Sequence, residues 1–251
     1  MTEREKLAAY AWMFSGDWTR IAEAEKNHLV PDAVRITEQY ITCLDEDYPR
    51  QFCALRYPPW VIFYRGDLSL LKRRMISIVG SRDLQPYGAY GTRWCADLLK
   101  QEFVLVSGLA KGADGLVHRR ALEGGKTIGI IGSGFSRRYP YCNKDLYQTM
   151  EQDHLVLSEY PFHTGIRRHH FAWRNRLIAA LGEALIVTQA RIRSGTMLTV
   201  NEAASLAKDI YVLPWQIHDP WGEGCSKLIS EGAMILWQEE QLKDIMRNSL
   251  Y

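Results

Sequence analysis

Six arginines fall within residues 163–193: Arg167, Arg168, Arg174, Arg176, Arg191 and Arg193. One acid, Glu183, opposes them, so the local balance is +5, and His163, His169 and His170 lie in the same stretch. Phe171 and Trp173 are interleaved with the arginines. Guanidinium groups hold phosphates, and aromatic rings between them offer faces on which bases stack. The whole chain carries only +2, and residues 1–50, with ten acids and six bases, carry −4. The basic stretch is therefore a local feature that points to an anionic partner.

Glycine turns supply the second element of the same chemistry. Gly80-Ser81-Arg82, Ser107-Gly108-Leu109-Ala110-Lys111-Gly112 and Gly132-Ser133-Gly134 each follow an apolar run. A fourth turn, Arg193-Ser194-Gly195-Thr196, follows the apolar run Ala184–Thr188. Glycine allows close backbone approach, and a helix N-terminus beyond the turn offers free N–H groups to an anion. Ser194 and Thr196 add hydroxyls, and Arg82 and Lys111 add charge within their turns. No turn reads G-x-G-x-x-G with an acid about 20 residues on, and no Walker A loop occurs, which disfavours NAD binding and ATP hydrolysis. The RSGT turn alone does not distinguish a nucleic-acid phosphate from that of a small nucleotide.

Other chemistries have weaker support. Asp114 and His118, four residues apart, share a helix face, where a structural hydrogen bond is favoured over a metal or acid–base pair. Glu159 directly follows an apolar run and is expected to pair with Arg174 or Arg176, shaping the loop without acting as a catalyst. No nucleophile–base spacing signature appears. The five cysteines, Cys43, Cys53, Cys95, Cys142 and Cys225, form no C-x-x-C pair and are expected to be ordinary thiols. No metal and no cofactor is expected.

These residues need a frame. From Met75 onward, short apolar runs alternate with helix-like segments. Strands are predicted at Met75–Val79, Phe103–Val106, Thr127–Ile131, Leu155–Ser158, Ala184–Thr188 and Ile210–Leu213. Helices are predicted at Tyr87–Lys100, Ala113–Glu123, Asn143–Glu151, Trp173–Leu181 and Met197–Ala207. The alternation predicts an α/β fold, a doubly wound, mostly parallel sheet of extended Rossmann-like type. Strand cores that are nearly all apolar fit a sheet covered on both faces. In such a sheet the glycine turns lie at the carboxyl edge, where ligands bind.

Residues 1–40 read as a short N-terminal segment of two or three helices, 41–240 as the Rossmann-like core and 241–251 as a C-terminal tail. Asp45–Arg56 with Tyr57-Pro58-Pro59 reads as a connector, because prolines push the chain extended. An apolar content of 47% supports a buried core. No apolar run approaches the ~18–20 residues of a membrane span, and the charged N-terminus has no signal-peptide core, so a cytoplasmic location without membrane partners is expected.

The motifs VGSR (Val79–Arg82), VSGLAKGADGLVH (Val106–His118), GKTIGIIGSG (Gly125–Gly134) and LSEYP (Leu157–Pro161) are followed by FAWRNRLIAAL (Phe171–Leu181), RSGTMLTVNEA (Arg193–Ala203) and GEGCSKLISEGA (Gly222–Ala233). In this order and spacing, from about Ile41 to Trp237, the chain resembles the DNA-processing protein A family (DprA, also called Smf). The resemblance implies a non-enzymatic, homodimeric single-stranded DNA-binding protein of natural transformation, which protects incoming strands and helps load the RecA recombinase.

The DNA-binding residues it implies, together with the turns above, are Gly80, Ser81, Arg82, Lys111, Arg137, Lys144, Arg168, Phe171, Arg174, Arg176, Arg193, Ser194, Gly195 and Thr196. Arg82 grips the backbone, and Arg168 and Phe171 act from the loop before RNR. The implied dimer surface lies around Ala204, Ile229 and Ile235. Residues 1–40 then resemble a truncated sterile-alpha-motif-like domain. Three positions depart from the family pattern. Tyr141 stands where some members have a DNA-contacting lysine, with Lys144, Arg137 and Arg138 as substitutes or stacking in its place. Gln189-Ala190 replaces glutamate-alanine, and Leu213-Pro214-Trp215 replaces a proline-glycine turn. The alternative is a phosphoribohydrolase-like enzyme or a nucleotide sensor on the same fold, for which Ser194–Glu202 is a partial motif match.

Overall fold

In the computed structural model, residues 1–32 and 34–248 are described. The elements in chain order are α1 (Glu3–Met13), α2 (Trp18–Lys26), β1 (Gln39–Thr42), β2 (Val61–Gly66), β3 (Met75–Val79), α3 (Pro86–Leu99), β4 (Val104–Gly108), α4 (Ala113–Leu122), β5 (Lys126–Ile131), α5 (Lys144–Asp153), β6 (Leu155–Ser158), α6 (Arg168–Leu181), β7 (Ala184–Val187), α7 (Gly195–Ser205), β8 (Asp209–Val212), α8 (Glu223–Ser230), β9 (Met234–Ile235) and α9 (Glu239–Asn248). The strands form one sheet in the order β1-β2-β6-β5-β4-β3-β7-β8-β9. Every pairing from β6 to β9 is parallel, whereas β1–β2 and β2–β6 are antiparallel. This is the predicted α/β sheet, doubly wound about β3, with an antiparallel flank that the sequence pattern did not reveal.

Side-chain alternation along the strands supplies both faces. Val79, Val104, Val106, Ile128 and Leu157 pack with Leu177, Ile178 and Leu181 of α6 and Val200 of α7. Ile76, Ile78, Leu105 and Ile186 point the other way, onto Cys95 and Leu99 of α3 and Val117 of α4. A third cluster joins Leu7, Tyr10 and Ile21 of the N-terminal helices to Phe63, Val156, Tyr147 and Met150. The N-terminal segment, predicted as a unit of its own, thus packs directly on the sheet. A capping box between Thr2 and Glu5 starts α1, and the Asp17 side chain caps α2.

Several boundaries differ from expectation. α6 begins at Arg168, not Trp173, so the residues read as a basic loop are its first turn. Cations in a first turn oppose the helix dipole, which is why the sequence pattern hides this start. The predicted connector contains a 3-10 helix at Arg50–Ala54 whose Phe52 is fully buried. Most of the predicted tail is helix α9, with Leu242 and Ile245 buried against the Leu99–Phe103 cluster. Residues 249–251 of that tail lie outside the described residues. Among the described residues, no helix is long and apolar enough to cross a membrane.

Candidate nucleic-acid interface

β3 and β7 are neighbours, but the chain leaves β3 towards β4 on one side and β7 towards β8 on the other. Their carboxyl ends therefore diverge into a crevice, the usual ligand position in an open α/β sheet. Here it is a cleft of about 1020 Å³. The β3 loop (Gly80–Asp83), the first turn of α6 (Arg168, Phe171) and the Arg191–Leu198 segment wall it. Ala110, Asp114 and Arg174 also line it.

The β3 loop is tied down from three neighbours. Ala113 N–H donates to Ser81 O at 3.1 Å, and Thr196 Oγ1 donates to Gly80 O at 3.0 Å. Gln189, at the end of β7, accepts from Gln85 N–H at 2.9 Å and donates to Asp83 O at 3.1 Å. Gly112 lies beneath the loop with φ +83°, where a Cβ would collide with the Ser81 carbonyl. Arg82 is left exposed on this braced loop, its guanidinium 5.6 Å from the centre of the Phe171 ring. A second ring follows, since Tyr139 lies 5.6 Å from Phe171. Arg168 and Arg193 are exposed around the same cleft, while Phe171 is half-buried.

The α7 N-terminus opens into this ring of charge. Ser194 occupies the N-cap position without making a side-chain cap, and its Oγ is buried without a partner among the described residues. Beyond its own turn, no described heavy atom stands within 4 Å of where a Gly195 Cβ would be, which leaves open space at the start of α7. First-turn N–H groups beside Arg193 and Arg168 are donors of the kind that can receive an anion. Thr196 lines the cleft but is 7% exposed, and its hydroxyl proton is committed to Gly80 O, so its side chain braces the loop and only its backbone N–H is left to the α7 N-terminus. Ser81 likewise uses its hydroxyl within the loop, on Asp83.

Two of the predicted arginines are not surface groups. Arg176 is 3% exposed, pairs with Glu159 at 2.6 Å through both terminal nitrogens, and donates to Tyr57 O. Trp173 is occupied by the same cluster, 4.3 Å from that guanidinium and 5.5 Å from Tyr57. The expected pairing of Glu159 is thus present with Arg176, which is thereby removed from the DNA-contact set. Arg174 runs under the cleft. It is 4% exposed, donates to Ile130 O at 2.6 Å and lies 3.6 Å from the Asp114 carboxylate. Its guanidinium covers Gly108 so closely that any Cβ there would clash. Burial pushes the Asp114 carboxyl up and Arg174 down, and each opposes the other's shift by holding its partner charged. Arg174 is therefore a floor residue and not an exposed phosphate clamp.

His118 makes the expected structural hydrogen bonds, to Thr127 Oγ1 at 2.7 Å and Gly108 O at 2.9 Å. Burial holds its imidazole neutral, down at about 3. The Gly108 carbonyl can only accept, so a neutral ring carries its proton on Nε2 and donates it there.

Lys111 is exposed on the turn before α4 but does not line the cleft. Arg137 and Lys144 are exposed beyond Tyr139, and the Lys144 ammonium lies 5.7 Å from the centre of the exposed Tyr141 ring. They extend the basic and aromatic surface from the cleft towards α5. Among the described residues, no group of three or more His, Cys, Asp or Glu could hold a metal ion. Glu202, the acid of the alternative enzyme reading, does not line the cleft. Ala204 is exposed on α7, Ile229 is half-buried on α8 and Ile235 is 39% exposed on β9. Gly112, Asp114 and Gln189 were noted in the sequence, as a turn residue, as the partner of a helix-face pair and as a departure from the family pattern, but nothing there showed that they support this cleft.

Comparison with known proteins accords with this geometry. A family model for DNA recombination-mediator protein A matches residues 39–248. The DNA processing protein DprA of Streptococcus pneumoniae is 41% identical over 194 residues, which cover 77% of this chain and 69% of that protein. An X-ray structure of DNA processing protein A from S. pneumoniae matches with a TM-score of 0.82 and 33% identity, over 97% of this chain and 93% of that one. A structure of DNA processing protein A from Helicobacter pylori, described for its single-stranded DNA binding mode, matches with a TM-score of 0.75 and 30% identity, over 85% and 97% respectively.

Proposed function

Because this chain belongs to the DNA recombination-mediator protein A family, we propose that it binds single-stranded DNA in the β3–β7 cleft and acts in DNA transformation and recombination. One observation carries the assignment. Exposed Arg82, Arg168 and Arg193 converge with the Phe171 ring on an uncapped helix N-terminus at the sheet's switch point.

The mechanism is binding, without chemistry on the strand. Arginines and α7 amides take the phosphates, releasing counterions. Phe171, Tyr139 and Tyr141 offer ring faces to unpaired bases, a contact typically worth about 1–3 kcal/mol per base. A duplex hides those base faces, so single strands are preferred. The finer parts of the reading are a homodimer joined through the Ala204, Ile229 and Ile235 surface, and hand-over of the coated strand to the RecA recombinase.

A salt series of fluorescence anisotropy with a labelled oligothymidylate and its duplex tests the assignment. The expected result is single-strand preference with a log–log salt slope of about −2 to −3, from three or four phosphates. Arg82→Glu abolishes binding at moderate salt while the melting temperature is retained. Unchanged affinity in that variant removes the cleft as the DNA site.

A further inference from the structure

Gln189 is a wholly buried side chain that serves one loop. Its Oε1 accepts from Gln85 N–H and its Nε2 donates to Asp83 O, so both ends of a single amide are used within three residues of Arg82. Gln85 is the N-cap of α3 and makes no side-chain cap, so Gln189 satisfies an N–H at the point where the loop becomes helix. On the other side, the loop is held through the backbone carbonyls of Gly80 and Ser81 by Thr196 and Ala113. Gly88 of α3 packs directly against the Gln189 side chain, where a Cβ would clash, so the amide has little room to turn.

We infer that Gln189 is a positioning residue for single-stranded DNA binding, clamping the 81–85 loop so that Arg82 stands over the cleft beside Phe171. The inference rests on the function proposed above and deepens it. It has a chemical signature. In this chain the loop presents one donor, Gln85 N–H, and one acceptor, Asp83 O, which an amide or a protonated carboxyl matches and a carboxylate, acceptor only, does not, so the clamp belongs to this chain and not to the glutamate of the family pattern. The charged side chains of the loop and of the segment after β7, Arg82, Asp83, Arg191 and Arg193, are all exposed. From α3, Tyr87 is pushed up by burial, and from α8, against Ala190, Cys225 is pushed up to about 12. Neither titrates between pH 5 and 8.

The test measures oligothymidylate affinity for the wild-type chain, Gln189→Glu, Gln189→Leu, Arg82→Ala and the Gln189→Leu/Arg82→Ala double variant. At pH 8 the carboxylate of Gln189→Glu faces the Asp83 carbonyl, and affinity falls about tenfold. The ratio to wild type returns towards one by pH 5, as the introduced carboxyl takes a proton and donates to Asp83 O. Gln189→Leu weakens binding and flattens the salt slope by about 0.7, one phosphate contact. It has no further effect once Arg82 is alanine, because the clamp acts through that side chain.

Wild-type affinity in Gln189→Leu overturns the inference, and so does equal weakening with and without Arg82. Loss of binding in Gln189→Glu that persists at pH 5 overturns it too. Gln189→Glu at pH 5 also serves as the folded control should Gln189→Leu melt early. Absence of binding by the wild-type chain would instead overturn the proposed function, and this inference with it.

Discussion

Arg82 and Arg176 are the same residue type put to opposite uses, and the difference is decided by their neighbours. Arg176 is sealed between Glu159, Tyr57 O and the Trp173 ring. Removing it strands a buried carboxylate, so Arg176→Ala is expected to cost about 3–5 kcal/mol of stability, read by urea denaturation. Arg82→Ala should leave the denaturation midpoint unchanged and weaken oligothymidylate binding. The pairing of Glu159 with an arginine was legible in the sequence. The burial of Arg176 was not, because the carbonyl that completes its shell belongs to Tyr57, 119 residues away. Gly112 separates fold from function in another way. With φ +83° and the Ser81 carbonyl overhead, Gly112→Ala must both strain its own backbone and lift the β3 loop. About 1–3 kcal/mol of destabilisation is expected, with a drop in single-strand affinity larger than Arg82→Ala alone produces. Calorimetry and anisotropy on the same samples check the pair.

At the scale of elements, β3 to β7 were readable because burial on both faces writes uninterrupted apolar runs, and the half-buried β8 was readable from the apolar run that ends it. The flanks were not. β2 follows a proline pair and joins β6 antiparallel, β9 is two residues long, and α9 is a mostly polar stretch that reaches the core through Leu242, Ile245 and Met246. α6 was read only from Trp173 onward, although its first turn carries Arg168 and Phe171 to the cleft. That turn also carries His170, stacked on Tyr160 at 3.9 Å and 14° and held down at about 4 by burial, while burial of His118 on α4 holds it at about 3. A histidine whose folded-state value lies below its unfolded 6.5 binds its proton more readily in the unfolded chain. Its contribution is complete above pH 6.5 and is lost as pH falls, to about pH 4 for His170 and about pH 3 for His118. Each histidine should therefore remove up to about 1.4 kcal/mol of stability per pH unit within its window. Urea midpoints between pH 7 and 4.5 test this, and His170→Phe, which keeps an aromatic ring on Tyr160, should make the dependence shallower by the share of His170.

Across the whole molecule, the cleft and the proposed subunit contact use different parts of one sheet. The cleft needs residues of a single chain only, between the central strands β3 and β7. The sheet ends at β9, where Met234, Ile235 and Trp237 are 38%, 39% and 66% exposed. An open edge strand invites pairing with another chain. Here, however, Leu236 N–H turns inward to Val212 O, so the Ile235 carbonyl turns outward, and Gln241 Nε2 caps it at 2.6 Å. With its edge blunted, the sheet is poorly prepared to continue into a partner, so the proposed subunit contact rests on the apolar side chains. Ile229 is a compromised probe of that contact, because it also packs against the core, whereas Ile235 is not part of a core cluster. Ile235→Glu is therefore expected to weaken the dimer about tenfold or more, by placing a charge in an apolar contact. Gln241→Ala, which uncovers the edge without touching those side chains, should not weaken it. Sedimentation velocity across a concentration series reads both variants. The Ile235→Glu monomer should keep the wild-type salt slope for oligothymidylate, because each chain carries a complete cleft. A slope that falls with dimerisation would mean that the two subunits hold one strand between them.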